Sequence, residues 1–131
     1  MAFDPEKLLN KEFLIVQQTY VAKDCMLYAL GVGMGIDPLD EQSLRFVYEE
    51  NLKVLPSQSV MMAHPGFWAK KEDTGLDWVK VLHAGQEIIM HKPFPSEGTF
   101  EAKTRITSVT DKGARIGALI VSDRVVSDVA T

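Results

Sequence analysis

Cys25 and His64 are the side chains whose types could carry chemistry on their own. A thiol attacks only as thiolate, which needs a base or a positive surrounding. Cys25 lies inside a helical pattern with no histidine near it in sequence. It reads as a small buried hydrophobe, with a catalytic thiol as the competing reading. One cysteine forms no internal disulfide. His64 closes an apolar segment, where a helix dipole would favour its proton; acid–base catalysis is the alternative. The other chemical feature is a loop. Gly31, Gly33 and Gly35 precede Asp37-Pro38, and glycines in a row let a ligand or another backbone come close. The same glycines equally suit a helix C-cap followed by a turn.

Those residues depend on the elements around them. Ala22, Cys25, Met26, Ala29, Leu30 and Gly33 recur at the spacing of one helix face, which predicts a helix over Ala22–Leu30 that stops at the glycines. Val21 is a poor N-cap, having no acceptor, and Asp24 in the first turn partly compensates. Phe13–Tyr20 is apolar and β-branched and predicts a strand. Ser43–Glu49 alternates Leu44, Phe46 and Tyr48 against Arg45, Val47 and Glu49, which predicts an extended segment. Pro56 near the start and Pro65-Gly66 at the end frame a compact, mostly apolar helix over Pro56–His64.

The C-terminal half reads as β. Trp78–His83 and Gln86–Lys92 are expected strands, broken at Ala84-Gly85 by a bulge or close backbone approach. Pro93–Gly98 is a turn. Phe100, Ala102, Thr104 and Ile106 alternate with Glu101, Lys103, Arg105 and Thr107, the pattern of a sheet with one wet face. Asp111-Lys112-Gly113 makes a hairpin turn, and Ala114–Val126 returns.

At 131 residues the chain is expected to be a single domain. Hydrophobic residues make up 46% and charged ones 24%, enough apolar material for a core. With a net charge of −4 and no basic cluster, nucleic acid is excluded as a partner. No apolar run approaches the ~18 residues of a membrane span and the N-terminus lacks a signal-peptide core, so a cytoplasmic location away from membranes is expected. No metal-binding residue and no cofactor is assigned. The element order predicts an α+β fold, one antiparallel sheet wrapped around a buried helix.

Five segments in order carry a resemblance: Leu27-Tyr28-Ala29-Leu30-Gly31-Val32-Gly33, Leu44-Arg45-Phe46-Val47-Tyr48-Glu49, Val54-Leu55-Pro56-Ser57, Val81-Leu82-His83 and Lys92-Pro93-Phe94-Pro95. From about Tyr20 to Val126 the chain resembles the N-terminal half of the two-domain, MaoC-like, hydratase 2 type enoyl-CoA hydratases. The resemblance implies a hot-dog fold and water addition to a trans-2-enoyl-CoA, giving the (R)-3-hydroxyacyl-CoA. In that family the catalytic Asp and His sit in the other, C-terminal hot dog, in a motif like Asp-Phe-Asn-Pro-Leu-His. This chain has no Asp and His at that interval, and Gly35-Ile36-Asp37-Pro38-Leu39-Asp40 keeps only its proline and leucine. Gly35 stands where the Asp would be and Asp40 where the His would be. The segment reads either as a non-catalytic twin of the active-site loop or as a coincidence within a short window.

No catalytic residue is therefore assigned to this chain. The family's N-terminal hot dog holds the fatty-acyl or steroid tail, and the resemblance makes Tyr28, Gly31, Gly33, Met61, Met62, His83 and Gln86 the candidate substrate-binding residues. Methionines are flexible enough to repack around a tail, and equally able to fill a core. The family usually has His-Gly-Glu-Gln where this chain has His83-Ala84-Gly85-Gln86, so the acidic residue is missing. The expected partners are an acyl-CoA thioester and a catalytic MaoC-like hot-dog domain, in the same polypeptide or another, within a homo- or hetero-oligomer. A closing strand is expected beyond the last hairpin arm, and a sheet left open at an edge invites pairing with another chain. A non-catalytic acyl-CoA-binding or dimerisation domain is the second reading. A stand-alone thioesterase is the third, and it needs a carboxylate on the Pro56–His64 segment, which has none.

Overall fold

The computed structural model describes residues 4–130. Its helices are α1 (Pro5–Leu9), α2 (Ala22–Gly31) and α3 (Glu41–Leu44), and its strands are β1 (Val16–Tyr20), β2 (Gly98–Asp111) and β3 (Ala118–Asp128). Short 3-10 turns occupy Pro56–Val60, Trp68–Lys70 and Trp78–Lys80. The three strands form one sheet in the order β1-β2-β3. Its antiparallel register is visible in the cross-strand pairs. Thr19 meets Thr99, hydroxyl to hydroxyl at 2.8 Å, while Gln17 donates to Glu101 at 3.4 Å. The Thr107 hydroxyl donates to the Val121 carbonyl at 3.2 Å while the Val129 N–H donates to the Thr99 carbonyl at 3.0 Å, so partner numbers fall on one strand as they rise on the other. The fold is thus α+β with an antiparallel sheet.

The alternation read in β2 is realised. Phe100, Ala102 and Ile106 are buried, while Lys103, Arg105 and Thr107 on the opposite face are exposed. Arg105 lies 3.7 Å from Asp123 on β3, an exposed cross-strand pair of the kind worth little individually. The turn between β2 and β3 is longer than Asp111-Lys112-Gly113. Lys112 N–H donates to the Gly117 carbonyl, and two glycines with positive φ, Gly113 and Gly117, bend the backbone. The return strand accordingly starts at Ala118 rather than Ala114.

The chain divides into two compact units. One comprises the described residues up to Val16 together with His64–Gly85 and Ala102–Val125. Its buried residues are Leu8, Ala69, Thr74, Ala102 and Ile106. Phe13 meets Trp68 edge-on at 5.4 Å, and Lys11 pairs with Asp73 at 2.7 Å. The other comprises Gln17–Ala63, Gln86–Glu101 and the described residues from Val126. Its core is Tyr20, Cys25, Met62 and Phe100, with Leu52, Val54, Phe94 and Val126 packed against them. Phe100 stacks on Tyr20 at 5.0 Å and takes Phe94 edge-on at 5.4 Å.

Five more expected elements differ. Pro56–His64 is not an α-helix but a single 3-10 turn, Pro56–Val60. The Gln18 amide oxygen accepts the Ala63 N–H at 2.7 Å, which takes that donor away from a helical ladder. Ala63 itself has φ +48°, left-handed and incompatible with continuing the helix. Helix nucleation is costly, and a segment this short with two serines does not offset it. Ser43–Glu49 is not extended. Asp40 caps α3, and the Leu44 carbonyl then accepts from both Val47 and Tyr48 N–H groups, so the chain keeps coiling. Trp78–His83 and Gln86–Lys92 are not strands. Trp78–Lys80 is a 3-10 turn closed by Lys80 N–H onto the Asp77 carbonyl, and Val81–Met90 carries no regular element. Finally, β1 starts at Val16, with Leu14 and Ile15 exposed before it.

Candidate functional site

The site is built on α2 and the loop it feeds. Asp24 secures the helix entry: its carboxylate accepts the Val21 N–H at 2.9 Å, the contribution Val21 cannot make for itself. The exit is a Schellman motif. Gly33 N–H donates to the Leu30 carbonyl and Met34 N–H to the Ala29 carbonyl, with Gly33 at φ +98°. Gly33 is therefore required by the helix end. Gly35, at φ +81°, is required by the backbone and by space, because a Cβ there would lie 3.1 Å from Val47 Cγ2. Gly31 is different: a Cβ on it would meet nothing within 4 Å.

Beyond the glycines, the aspartates organise the turn. Asp37 accepts the Leu39 N–H at 2.9 Å. Asp40 accepts the Gln42 N–H at 3.1 Å and the Ser43 hydroxyl at 2.8 Å. The Ser43 hydrogen bond is the main cause holding the Asp40 carboxyl below the usual carboxylate range. It is a helix cap in its charged form, bonded to backbone and serine.

Tyr28, on α2, donates its hydroxyl to the Ser57 Oγ at 2.9 Å, joining the helix to the Pro56–Val60 turn. The two methionines that follow that turn part company. Met62 is buried in the core, while Met61 is 60% exposed. Gly31 is exposed at the helix end. His83 and Gln86 are both exposed, and Gln86 Nε2 lies 3.5 Å from the Glu87 carbonyl. Tyr28, Gly31, Gly33, Met61, Met62 and Gln86 fall within one compact unit and His83 within the other. Within the first of these, the Tyr28–Ser57 hydrogen bond brings together α2 and the Pro56–Val60 turn.

Cys25 is inert by environment. Burial pushes its thiol above the ordinary value, only partly offset by a hydrogen bond from Gln58, and the thiol donates to the Ser96 carbonyl at 3.5 Å. The Tyr20 hydroxyl, donating to the Pro95 carbonyl at 2.8 Å, is likewise pushed upward by burial. His64 Nδ1 accepts the Gly66 N–H at 3.0 Å. Burial first, and then the Arg124 charge, lowers its proton affinity, which corrects the expectation that a helix dipole would favour the proton: there is no α-helix in front of it. A shallow cavity of about 320 Å³ lies elsewhere, lined among others by Leu44, Arg45, Tyr48 and Lys53; no candidate residue lines it.

Sequence reasoning missed Gln18 and Gln58. Gln18 fixes Ala63, as described above. Gln58 is 6% exposed although polar. The available signal was its position: a long polar side chain inside the otherwise apolar or small run from Leu55 to Ala63.

Comparison with known proteins adds the rest. The family profile for the MFE-2 hydratase 2 N-terminal domain matches residues 18–130. The chain is similar to the enoyl-CoA hydratase ChsH3 of Mycobacterium tuberculosis, 31% identical over 117 residues, covering 86% of this chain and 41% of that protein. It is 30% identical to a probable enoyl-CoA hydratase 2 of Dictyostelium discoideum, covering 98% of this chain and 43% of that one. Among solved structures, a MaoC-like dehydratase from Phytophthora Capsici superposes with a TM-score of 0.63 at 23% identity, over 95% of this chain and 44% of that one. The chain spans less than half the length of these relatives.

Proposed function

The chain belongs to the MFE-2 hydratase 2 N-terminal domain family, and from that membership we propose that it is the acyl-tail-binding half of a 2-enoyl-CoA hydratase. The reaction is water addition to a trans-2-enoyl-CoA to give the (R)-3-hydroxyacyl-CoA. It needs a base to deliver water to the β-carbon, a proton for the α-carbon, and donors for the thioester oxygen as charge builds on it. The base and acid come from a second hot-dog domain, in the same polypeptide or in a partner. The observation that carries this reading is the family match over residues 18–130, taken with relatives more than twice as long.

The loop geometry supports the division of labour. Gly35 occupies the position of the family's Asp, and Val47 takes up the space a side chain there would need. Asp40, at the position of the family's His, is spent on capping α3. Tyr28, Gly31, Gly33, Met61, Met62 and Gln86, all in one compact unit, are the residues proposed to meet the tail, and His83, in the other unit, is proposed as substrate-binding from the resemblance alone. Exposed Met61 and the unobstructed Gly31 suit that role best; buried Met62 supports it from behind. The single-domain hot-dog arrangement also belongs to this proposal, with α2 rather than the Pro56 segment as the enclosed helix. Cys25 and Ala29, both buried on one face of α2, favour it.

Association with the catalytic domain and a homo- or hetero-oligomeric state follow from the same reading; a cytoplasmic location is proposed separately, from the sequence. The exposed apolar side chains Leu82, Ile89 and Val79 favour association. Calorimetry of the chain with a saturated acyl-CoA tests the proposal against a purely scaffolding domain. Binding that strengthens with tail length is expected; binding of free CoA as tightly as of acyl-CoA refutes tail recognition.

A further inference from the structure

Gln58 is the buried polar side chain that tail binding, as described so far, leaves unused. Its Nε2 donates to Cys25 Sγ at 3.5 Å, and sulfur is a weak acceptor. Its Oε1 is buried and has no hydrogen-bond partner among the described residues. Turning the amide over would let Oε1 take the thiol proton of Cys25 but would strand the nitrogen. One polar end is left over in either orientation. Buried polar atoms in native proteins are paired almost without exception, so a leftover one is a place where a bound group can be accommodated.

The position of this amide matters. The Gln58 carbonyl accepts the N–H groups of Met61 at 2.9 Å and Met62 at 3.2 Å. Its neighbour Ser57 receives the Tyr28 hydroxyl at 2.9 Å. Gln58 thus sits in the turn that leads into Met61 and Met62, two of the residues proposed to meet the tail, and its neighbour Ser57 is bonded to the helix that carries two more, Tyr28 and Gly31. The Tyr28 and Ser57 hydroxyls are paired with each other, which leaves the Gln58 amide oxygen as the unpartnered polar atom of this segment among the described residues.

We propose that Gln58 selects acyl thioesters whose tail carries a hydroxyl toward its far end, with that hydroxyl donating to Gln58 Oε1. The inference rests on the tail-binding reading above. A plain hydrocarbon leaves the amide oxygen unpaired, whereas a hydroxyl satisfies it. Sites built to hydrogen-bond a hydroxyl discriminate strongly against the analogue lacking it.

The test is calorimetry of the whole chain with dodecanoyl-CoA and with ω-hydroxydodecanoyl-CoA, repeated on Gln58→Leu. The wild type is expected to bind the hydroxylated probe about tenfold more tightly, and Gln58→Leu to lose that preference while holding the plain probe no less tightly. Equal affinity of the wild type for both probes, the amide being met by a buried water only, overturns the proposal. So does a preference that survives in Gln58→Leu. Should the leucine variant fail to fold, Gln58→Met, closer in length, replaces it, and the wild-type comparison remains decisive. Failure of the wild type to bind either probe refutes tail binding itself, which keeps the two failures distinct.

Discussion

Replacing Gly35 tests whether the glycine loop is a disarmed copy of a catalytic loop. Gly35 has φ +81°, and a Cβ would stand 3.1 Å from Val47 Cγ2 and 3.7 Å from Cγ1. The left-handed backbone alone costs an L-residue roughly 1–2 kcal/mol. The collision adds to that, because Val47 is a branched side chain with little freedom to yield. Gly35→Ala should therefore lower the unfolding free energy by about 2–3 kcal/mol. In a Val47→Ala background the collision disappears, and the same replacement should cost only the backbone part, roughly 1–2 kcal/mol. Urea denaturation of the four proteins of this cycle reads both numbers. The same reasoning applies to Gly35→Asp, the change that would restore the family's Asp: it destabilises and adds no turnover. A neutral Gly35→Ala, or an equal loss with and without Val47, would refute the steric argument.

Phe100 is 3% exposed and touches two other rings, so Phe100→Ala should cost about 3–5 kcal/mol in urea unfolding, while Lys103→Ala on the wet face of the same strand should stay within about 0.5 kcal/mol. His64 titrates below its ordinary 6.5 in the folded chain. The unfolded chain therefore takes up that proton more readily, and stability should fall as pH drops below the ordinary value. Unfolding measured across this range should show a shallower decline for His64→Gln; an unchanged pH profile would contradict the assignment.

Much of the fold was legible where one local rule had no competitor. The Phe100–Ile106 alternation decided β2 because one face is wet and the other buried. The α2 face and its glycine exit were both readable, and the C-cap role of Gly33 was the simpler of the two readings offered for it. The failures share a cause: a side chain distant in sequence, or a cap, overrode the local pattern. Gln18, remote from the Pro56 turn, captured the Ala63 N–H, and no periodicity within that turn could announce it. Asp40 turned the start of an alternating segment into helix by capping it, through hydrogen bonds from the Gln42 N–H and the Ser43 hydroxyl. Val81–Met90 has strand composition, but a strand also needs a neighbouring backbone, which composition does not supply. For the site, the residue types on α2 and the methionine turn were readable; that Met61 is exposed and Met62 buried was not, since adjacent residues of one type differ only through the tertiary structure.

Hydration of trans-2-dodecenoyl-CoA, followed by loss of the enoyl absorbance, tests the central claim most directly. The chain is assayed alone and then mixed with a separately produced hydratase 2 C-terminal domain. Turnover should appear in the mixture, exceed that of the C-terminal domain by itself, and be absent from the chain alone. Enzyme-like turnover by the chain alone, or a mixture no faster than the C-terminal domain, would contradict it.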